Sequence, residues 1–129
     1  MGISYRLETA ANKLGFAAIG FATADYSSTI NIYEQWLAEG NAGDMQYLHR
    51  NRHLKIHPKF LMPEVKTIIA TAARYPINPD PDEGSGFSTC IATEDYHNVL
   101  HKKLNLLGLI LKEEFNNVEY KSCVDSAPL

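Results

Sequence analysis

A carboxylate and an imidazole stand two positions apart in the stretch EDYHNVLH, residues 94–101. In extended backbone, side chains two positions apart point the same way, so Asp95 and His97 would face one site and could exchange a proton with a bound molecule. In a helix start, Glu94 and Asp95 would instead lie favourably at the positive end of the helix dipole. Residue types alone do not decide between the two. We expect the extended arrangement, with Tyr96 packed on the opposite side.

A further carboxylate, Asp125, follows the alternating stretch VEYKSCV, residues 118–124. Ligands of layered α/β sheets collect where strands end, which would place this carboxylate at a binding site. A simple turn before the Ser-Ala-Pro of residues 126–128 accounts for the same residues. Both interpretations stay open on the residues alone.

The segment 49–59 is basic, and no acidic residue occurs between Met45 and Pro63. Its cationic side chains are Arg50, Arg52, Lys55 and Lys59. The simplest interpretation is a solvated surface, and the main alternative is a patch that contacts RNA or phosphate. A continuous helix would also align three imidazoles as a zinc or copper site, although the neighbouring cations would repel a metal. These imidazoles are His49, His53 and His57.

Composition narrows the class of protein. The 129 residues suffice for one domain with a real core, and 45% hydrophobic with 21% charged residues is ordinary for a globular protein. The formal net charge of −3 gives no general attraction to nucleic acid or membrane. Cys90 and Cys123 form no C-x-x-C, which disfavours a disulfide framework or a structural metal site.

Targeting signals are not evident in the sequence. No apolar run approaches the roughly 20 residues that a membrane span requires. The first residues carry Glu8 and lack the basic and apolar regions of a signal peptide. We therefore expect a cytoplasmic protein without membrane contact. The sequence does not determine the oligomeric state, and a monomer is the favoured interpretation.

The elements that must position the candidate groups alternate between helices and strands. Apolar residues at helical spacing from Ile3 onward predict a first helix that Gly15 ends. The run FAAIGFA, residues 16–22, predicts a buried strand. The next helix would end at Gly40, and its candidate caps are Ser27, Ser28 and Thr29.

The second half of the chain predicts longer elements. The predicted elements are a short helix capped by Asp44, a strand over 65–75, a loop over 76–86, an amphipathic helix carried from Leu100 to Phe115, and a final strand over 118–124. The helix prediction comes from leucines every three or four positions, which would leave His101 on the outer face. Helices between strands indicate the α/β class, as an α+β layered sandwich.

Short pieces of the sequence, taken in order, resemble the N-terminal, DUF1730-type domain of the epoxyqueuosine reductases. Each piece alone is weakly specific, but together they are in the right order and cover nearly the whole chain. The pieces are WL at 36–37, GDMQYL at 43–48, HP at 57–58, LMP at 61–63, KTIIATAARYP at 66–76, DYH at 95–97 and VDSAP at 124–128.

The resemblance implies an oxidoreductase that reduces epoxyqueuosine to queuosine in tRNA, with cobalamin and two [4Fe–4S] clusters as cofactors. It implies a fold related to the flavin-reductase and reductive-dehalogenase cobalamin-binding architecture. The aspartate of the family's V-D-S-x-P motif, here Asp125, is implied to be the general acid, protonated beside an apolar corrin face. The D-Y-H motif implies that Asp95 and His97 line the substrate side of the pocket. The implied cofactor contacts are Tyr96, Val124, Ser126 and Ala127.

Two departures from the family pattern accompany the resemblance. The family's Tyr-Ala-x-Gly-x run before D-Y-H reads CIATE here, so Cys90 and Glu94 replace expected residues, and a paralogue with another substrate stays open. The cysteine-rich ferredoxin-like half would follow Leu129, so we expect residues 1–129 to be a single domain, the N-terminal part of a longer chain, and inactive alone. The alternative function is a non-catalytic module that binds RNA or a cofactor.

Overall fold

The structure is a computed structural model that describes residues 2–74 and 95–124. These ranges form a mixed α/β fold, as the sequence predicts. The elements are α1 (Ile3–Lys13), β1 (Ala18–Thr23), α2 (Ile30–Ala38), α3 (Gln46–Arg50), two 3₁₀ turns (Arg52–Lys55 and Pro58–Phe60), β2 (Thr67–Ala72) and α4 (Tyr96–Glu114). Within the same ranges, no helix is both long and apolar enough to cross a membrane.

Strands β1 and β2 pair in a two-stranded sheet. The Ala17 amide donates to the Ala72 carbonyl at 2.7 Å, and the Ala24 amide donates to the Lys66 carbonyl at 3.1 Å, which makes the pairing antiparallel. Both strands are thus confirmed. The prediction that the first strand is buried is wrong, because in β1 only Ile19 packs against a core and the other side chains are exposed.

The chain divides into two compact units, one with residues 2–20, 69–74 and 95–124 and the other with residues 21–68. The core of the first unit joins α1 to α4. Its buried members are Leu7, Ala11, Phe16 and Leu107. Burial of these side chains holds together two helices that lie far apart in the sequence, and Arg6 of α1 pairs with Glu114 of α4 at the rim.

Helix α1 ends as predicted at Gly15, whose φ of 84° suits a residue without a side chain. The Gly15 amide donates to the Asn12 carbonyl and the Phe16 amide donates to the Ala11 carbonyl, both at 3.0 Å. This pair of bonds is the Schellman motif. Because Phe16 then enters the core, the turn that stops the helix also directs an aromatic ring into the packing.

Helix α4 follows the predicted leucine pattern, since Leu100, Leu104 and Leu111 all pack on the buried cluster around Leu107. The helix begins at Tyr96, four residues earlier than predicted, and ends at Glu114, so the exposed Phe115 lies past its end.

The predicted strand over 118–124 is wrong, because this segment lies on α4 and does not join the sheet. The Tyr120 ring occupies the place where a side chain at Gly108 would project. Ser122 Oγ donates to Asn105 Oδ1 at 2.8 Å. Tyr120 and Ser122, two positions apart, therefore both contact α4.

In the second unit, α2 begins directly after Thr29. Gly40, which has a φ of 78°, follows the end of this helix, as predicted. The prediction that Asp44 caps α3 is wrong. Met45 holds the N-cap position, and the Gln46 amide donates to the Asp44 backbone carbonyl at 2.8 Å in a tight turn.

Truncation of a buried leucine should destabilise the first unit far more than truncation of an exposed one. Leu107 is 4% exposed and Leu109, on the same helix, is 50% exposed. We expect Leu107→Ala to lower the free energy of unfolding by about 2–5 kcal/mol, through lost burial and a residual cavity. Leu109→Ala should change it by less than about 1 kcal/mol. Urea unfolding measures both, and equal losses would contradict this core.

Candidate active site at the start of helix α4

The side chains of Asp95 and His97 meet at the start of α4. Asp95 is the N-cap residue, and its Oδ1 accepts a hydrogen bond from the His97 backbone amide at 3.0 Å. The same oxygen lies 2.9 Å from His97 Nδ1. A carboxylate can only accept, so Nδ1 carries the proton and the other ring nitrogen, Nε2, holds the lone pair of the neutral imidazole.

These contacts set the charge of Asp95. Hydrogen bonds from the His97 side chain first, and from its backbone amide second, lower the pKa of the Asp95 carboxyl below 3.8. Asp95 is therefore a carboxylate at neutral pH and acts as an acceptor, not as a proton donor. Its side chain is 57% exposed and that of His97 is 36% exposed, so solvent reaches the pair.

The ring of Tyr96 stacks on that of His97, with centroids 4.1 Å apart and planes at 27°. The prediction that Tyr96 packs on the opposite side of an extended segment is therefore wrong. His97 is in the first turn of the helix, because the Asp95 side chain replaces a missing partner of the helix N-terminus. The two predicted groups are brought together by the helix start itself.

The structure describes one of the remaining predicted residues of this site, and the others lie outside the described residues. Val124 is described and buried, at 8% exposure. Asp125, Ser126 and Ala127 lie outside the described residues, as do the Cys90 and Glu94 departures. The roles assigned to all of these residues stay predictions.

The basic segment is not one continuous helix. Helix α3 ends at Arg50 and two 3₁₀ turns follow, so the alignment of His49, His53 and His57 that a metal site would need does not form. Among residues 2–74 and 95–124, no three His, Cys, Asp or Glu side chains lie close enough to hold a metal ion.

The four predicted RNA-contact cations have different surroundings. Arg52 is neutralised by Glu34, whose Oε1 accepts from Arg52 Nε at 2.9 Å and from its terminal nitrogen at 2.6 Å. Lys55 Nζ lies over the Tyr33 ring, 5.6 Å from its centroid. Arg50 and Lys59 are exposed, and neither has an ion-pair partner in the described part of the chain.

Two further ionisable side chains are held in their neutral forms. Burial raises the pKa of the Cys123 thiol, with a smaller opposing effect of Lys121. A protonated, half-buried thiol is a poor nucleophile and a poor metal ligand. Burial, and then the neighbouring Tyr47, raise the pKa of Tyr33, whose hydroxyl donates to the Leu48 carbonyl at 3.0 Å.

Comparison with known proteins identifies the family. A family model described as Epoxyqueuosine reductase QueG, DUF1730, matches residues 55–126, more than half of the chain. The chain belongs to the epoxyqueuosine reductase family. The matched range contains α4 and the pair at its start, as well as Val124, Asp125 and Ser126.

Curated epoxyqueuosine reductases align along most of the chain. The enzyme of Cellulophaga algicola is 30% identical over 125 residues, which cover 95% of this chain and 41% of the relative. That of Escherichia coli strain K12 is 27% identical and is aligned over 91% of this chain and 33% of its own length. The chain thus spans about a third to two fifths of the length of these relatives.

Solved structures of epoxyqueuosine reductases share the fold. The structure from Streptococcus thermophilus superposes with a TM-score of 0.82 at 29% identity, over 99% of this chain and 36% of that chain. A selenomethionine-labelled epoxyqueuosine reductase gives a TM-score of 0.62 at 28% identity, over 87% of this chain and 32% of that chain.

Loss of the Asp95 cap should destabilise this epoxyqueuosine reductase-family fold in a pH-dependent way. Asp95→Ala removes the acceptor for the His97 amide, so the free energy of unfolding at neutral pH should fall. The pKa of Asp95 is lowered by folding, so its contribution is complete above the ordinary carboxyl range and is lost as pH falls through the lowered value.

The effect of the cap is measured by urea unfolding of Asp95→Ala from neutral pH into the acid range. Asp44→Ala is the matched control. Asp44 caps no helix, so its replacement should leave stability nearly unchanged. Equal stability of the two variants at neutral pH would contradict the capping role.

Proposed function

We propose that this chain is the N-terminal part of an oxidoreductase that reduces epoxyqueuosine to queuosine in tRNA. Membership of the epoxyqueuosine reductase family supports the reaction. The fraction of the relatives that the chain spans supports the view that further elements complete the enzyme. The proposed cofactors are cobalamin within an architecture like that of the reductive dehalogenases, and two [4Fe–4S] clusters held by another part of the protein. On this proposal residues 1–129 alone do not turn over.

The observation that carries the proposal is the Asp95–His97 pair, which forms an oriented imidazole at a solvent-accessible helix start. Conversion of an epoxide to an alkene removes the oxygen as water and consumes two electrons and two protons. The chain's own task is therefore to hold substrate and deliver protons. Asp95 positions His97 and stays ionised, so it cannot be the donor at neutral pH.

Asp125 is the proposed proton donor to the departing epoxide oxygen, and His97 lines the substrate side of the same pocket. A carboxyl that donates near neutral pH needs a raised pKa, which burial beside an apolar surface provides. The two aspartates would thus have opposite duties, one ionised and orienting an imidazole, the other protonated and reacting.

Two of the proposed cofactor contacts, Tyr96 and Val124, lie in the described part of the chain, and they differ in how well they suit contact with cobalamin. When bound, the cofactor would supply the electrons of the reduction. Tyr96 fits a cofactor contact, because its aromatic ring is half-buried and is held in a stack with His97. Val124 fits less well, because its side chain is already buried in the fold. We propose that Val124 supports the pocket wall from behind, while Ser126 and Ala127 contact the cofactor.

The acid role of Asp125 can be tested in the complete protein that the gene encodes. Asp125→Asn keeps the size of the side chain and removes the transferable proton, so turnover of epoxyqueuosine-containing tRNA should be abolished. The visible spectrum of added cob(II)alamin should still change on binding. Asp44→Asn, the same substitution at an exposed aspartate, should retain activity. Turnover by Asp125→Asn would refute the assignment, and an unperturbed cobalamin spectrum with the unaltered protein would refute the cofactor.

The alternative function, a non-catalytic RNA- or cofactor-binding module, rests on the exposed cations of the basic segment. Arg50 tests the RNA-binding form, because Arg52 is held by Glu34 and its reversal would also break an ion pair. Arg50→Glu should weaken tRNA binding and flatten its salt dependence, since each lost phosphate contact lowers the slope by about 0.7–0.9. Lys13→Glu, in the last turn of α1, is the control. Unchanged affinity for Arg50→Glu would count against RNA contact here.

A further inference from the structure

Three aromatic rings form a cluster at the surface of the second unit: Tyr26, His57 and Phe60. Tyr26 is 72% exposed and Phe60 is 58% exposed. Tyr26 meets His57 edge-on with centroids 4.3 Å apart, and Phe60 meets it edge-on at 6.5 Å. We call these three residues the aromatic cluster.

The central ring of the aromatic cluster is fixed in orientation. The Lys59 backbone amide donates to His57 Nδ1 at 3.0 Å, at the start of the second 3₁₀ turn. Nδ1 is therefore an acceptor, and the proton of the neutral ring is on Nε2. A fixed imidazole braces the two exposed rings, so they present their surfaces with little conformational freedom to lose on binding.

A cavity of about 340 Å³ opens in the same unit. Its lining is continuous in sequence with the aromatic cluster, since Ser27 follows Tyr26 and Pro58 follows His57. The polar lining consists of Asp25, Ser27, Thr29, Tyr33 and Lys55. The volume lies at the lower end of the range for small-ligand pockets and suits a ligand the size of one nucleotide.

Lys55 gives the cavity its positive group. Its ammonium is held over the Tyr33 ring, and none of the ion pairs in the described residues involves it. Arg52, three positions earlier, has its charge neutralised by Glu34. Lys55 is thus the cation of the basic segment that combines a fixed position with a cavity, as a phosphate contact requires.

We propose that the aromatic cluster and this cavity bind one unstacked nucleotide of a single-stranded RNA segment. The inference rests on the proposed action on tRNA and assigns it a contact surface. The base stacks on Tyr26 or Phe60, as bases of single strands stack on exposed aromatic rings. The phosphate lies at Lys55 and at the hydroxyls of Ser27 and Thr29.

The carboxylate of Asp25 favours RNA over DNA. A carboxylate repels phosphate but accepts a hydrogen bond from a ribose hydroxyl, which deoxyribose lacks at the 2′ position. Asp25 already accepts from Thr23 Oγ1, which holds it in place. A strongly acidic partner without bases would gain from Lys55 but not from the rings, and an apolar peptide would leave Lys55 and Asp25 unpaired.

The test measures binding of a fluorescently labelled oligouridylate, by anisotropy, to the complete protein that the gene encodes. Uridylate is chosen because it forms little structure of its own. Either Tyr26→Ala or Phe60→Ala, whichever removes the ring that carries the base, should weaken binding roughly tenfold, the loss of one stacked base. Tyr26→Phe keeps the ring and should bind like the unaltered protein. Tyr5→Ala, at an exposed tyrosine in the first unit, should have no effect.

The phosphate contact of Lys55 and the preference of Asp25 for ribose are tested in the same anisotropy assay. Lys55→Ala should weaken binding and flatten its salt dependence, whereas Lys13→Ala should change neither. The deoxy form of the oligonucleotide should bind more weakly than the RNA, and Asp25→Ala should reduce that difference.

Absence of oligouridylate binding, or binding by both Tyr26→Ala and Phe60→Ala within twofold of the unaltered protein, would overturn the inference. Either result would leave the proposed reductase function intact if the complete protein still turns over its tRNA substrate. Loss of that turnover with retained oligouridylate binding would refute the reaction and leave the RNA surface standing.

Discussion

The packing of α1 against α4 around Leu107 is the constraint on which the first unit depends. One buried cluster takes two side chains from α1, one from the turn after it and one from α4. Because Phe16 belongs both to the Schellman turn and to that cluster, the end of α1 and the core form together. The start of α4, with Asp95 and His97, is thereby carried by a packed helix, which fixes the position of both side chains.

Periodicity predicted the long elements of this fold, because their apolar faces repeat at the spacing of a helix or consist of β-branched runs. The start of α4 could not be predicted in the same way, since an Asp two residues before a His suits both an extended pair and a capped helix. The strand predicted over 118–124 failed for a tertiary reason. Its alternation matches contact with α4, where Gly108 leaves room for the Tyr120 ring, and a lone glycine inside a helix pattern does not reveal what packs on it.

The candidate site was predictable in its residue types and only partly in its geometry. Charge in the basic segment is visible in the sequence, but the neutralisation of Arg52 by Glu34 depends on two residues from different elements. The aromatic cluster was missed because Tyr26 and Phe60 stand far apart in the sequence, and each alone resembles an ordinary core residue. The sequence contains two signals in this region. The Ser and Thr residues after Tyr26 suggested a helix cap, and the His-Pro pair at 57–58 suggested a break in regular secondary structure.

The two units differ in how far along the chain their contacts reach. The described residues of the second unit are 21–68, whereas in the first unit the pair of Arg6 and Glu114 joins residues 108 positions apart. Loop-closure entropy delays such distant contacts, and a chain emerging from the ribosome folds what is already complete. The stretch 21–68 is therefore expected to fold first during synthesis. Helix α1 is synthesised before α4, so the apolar face that carries Leu7 and Ala11 stays uncovered until α4 has emerged.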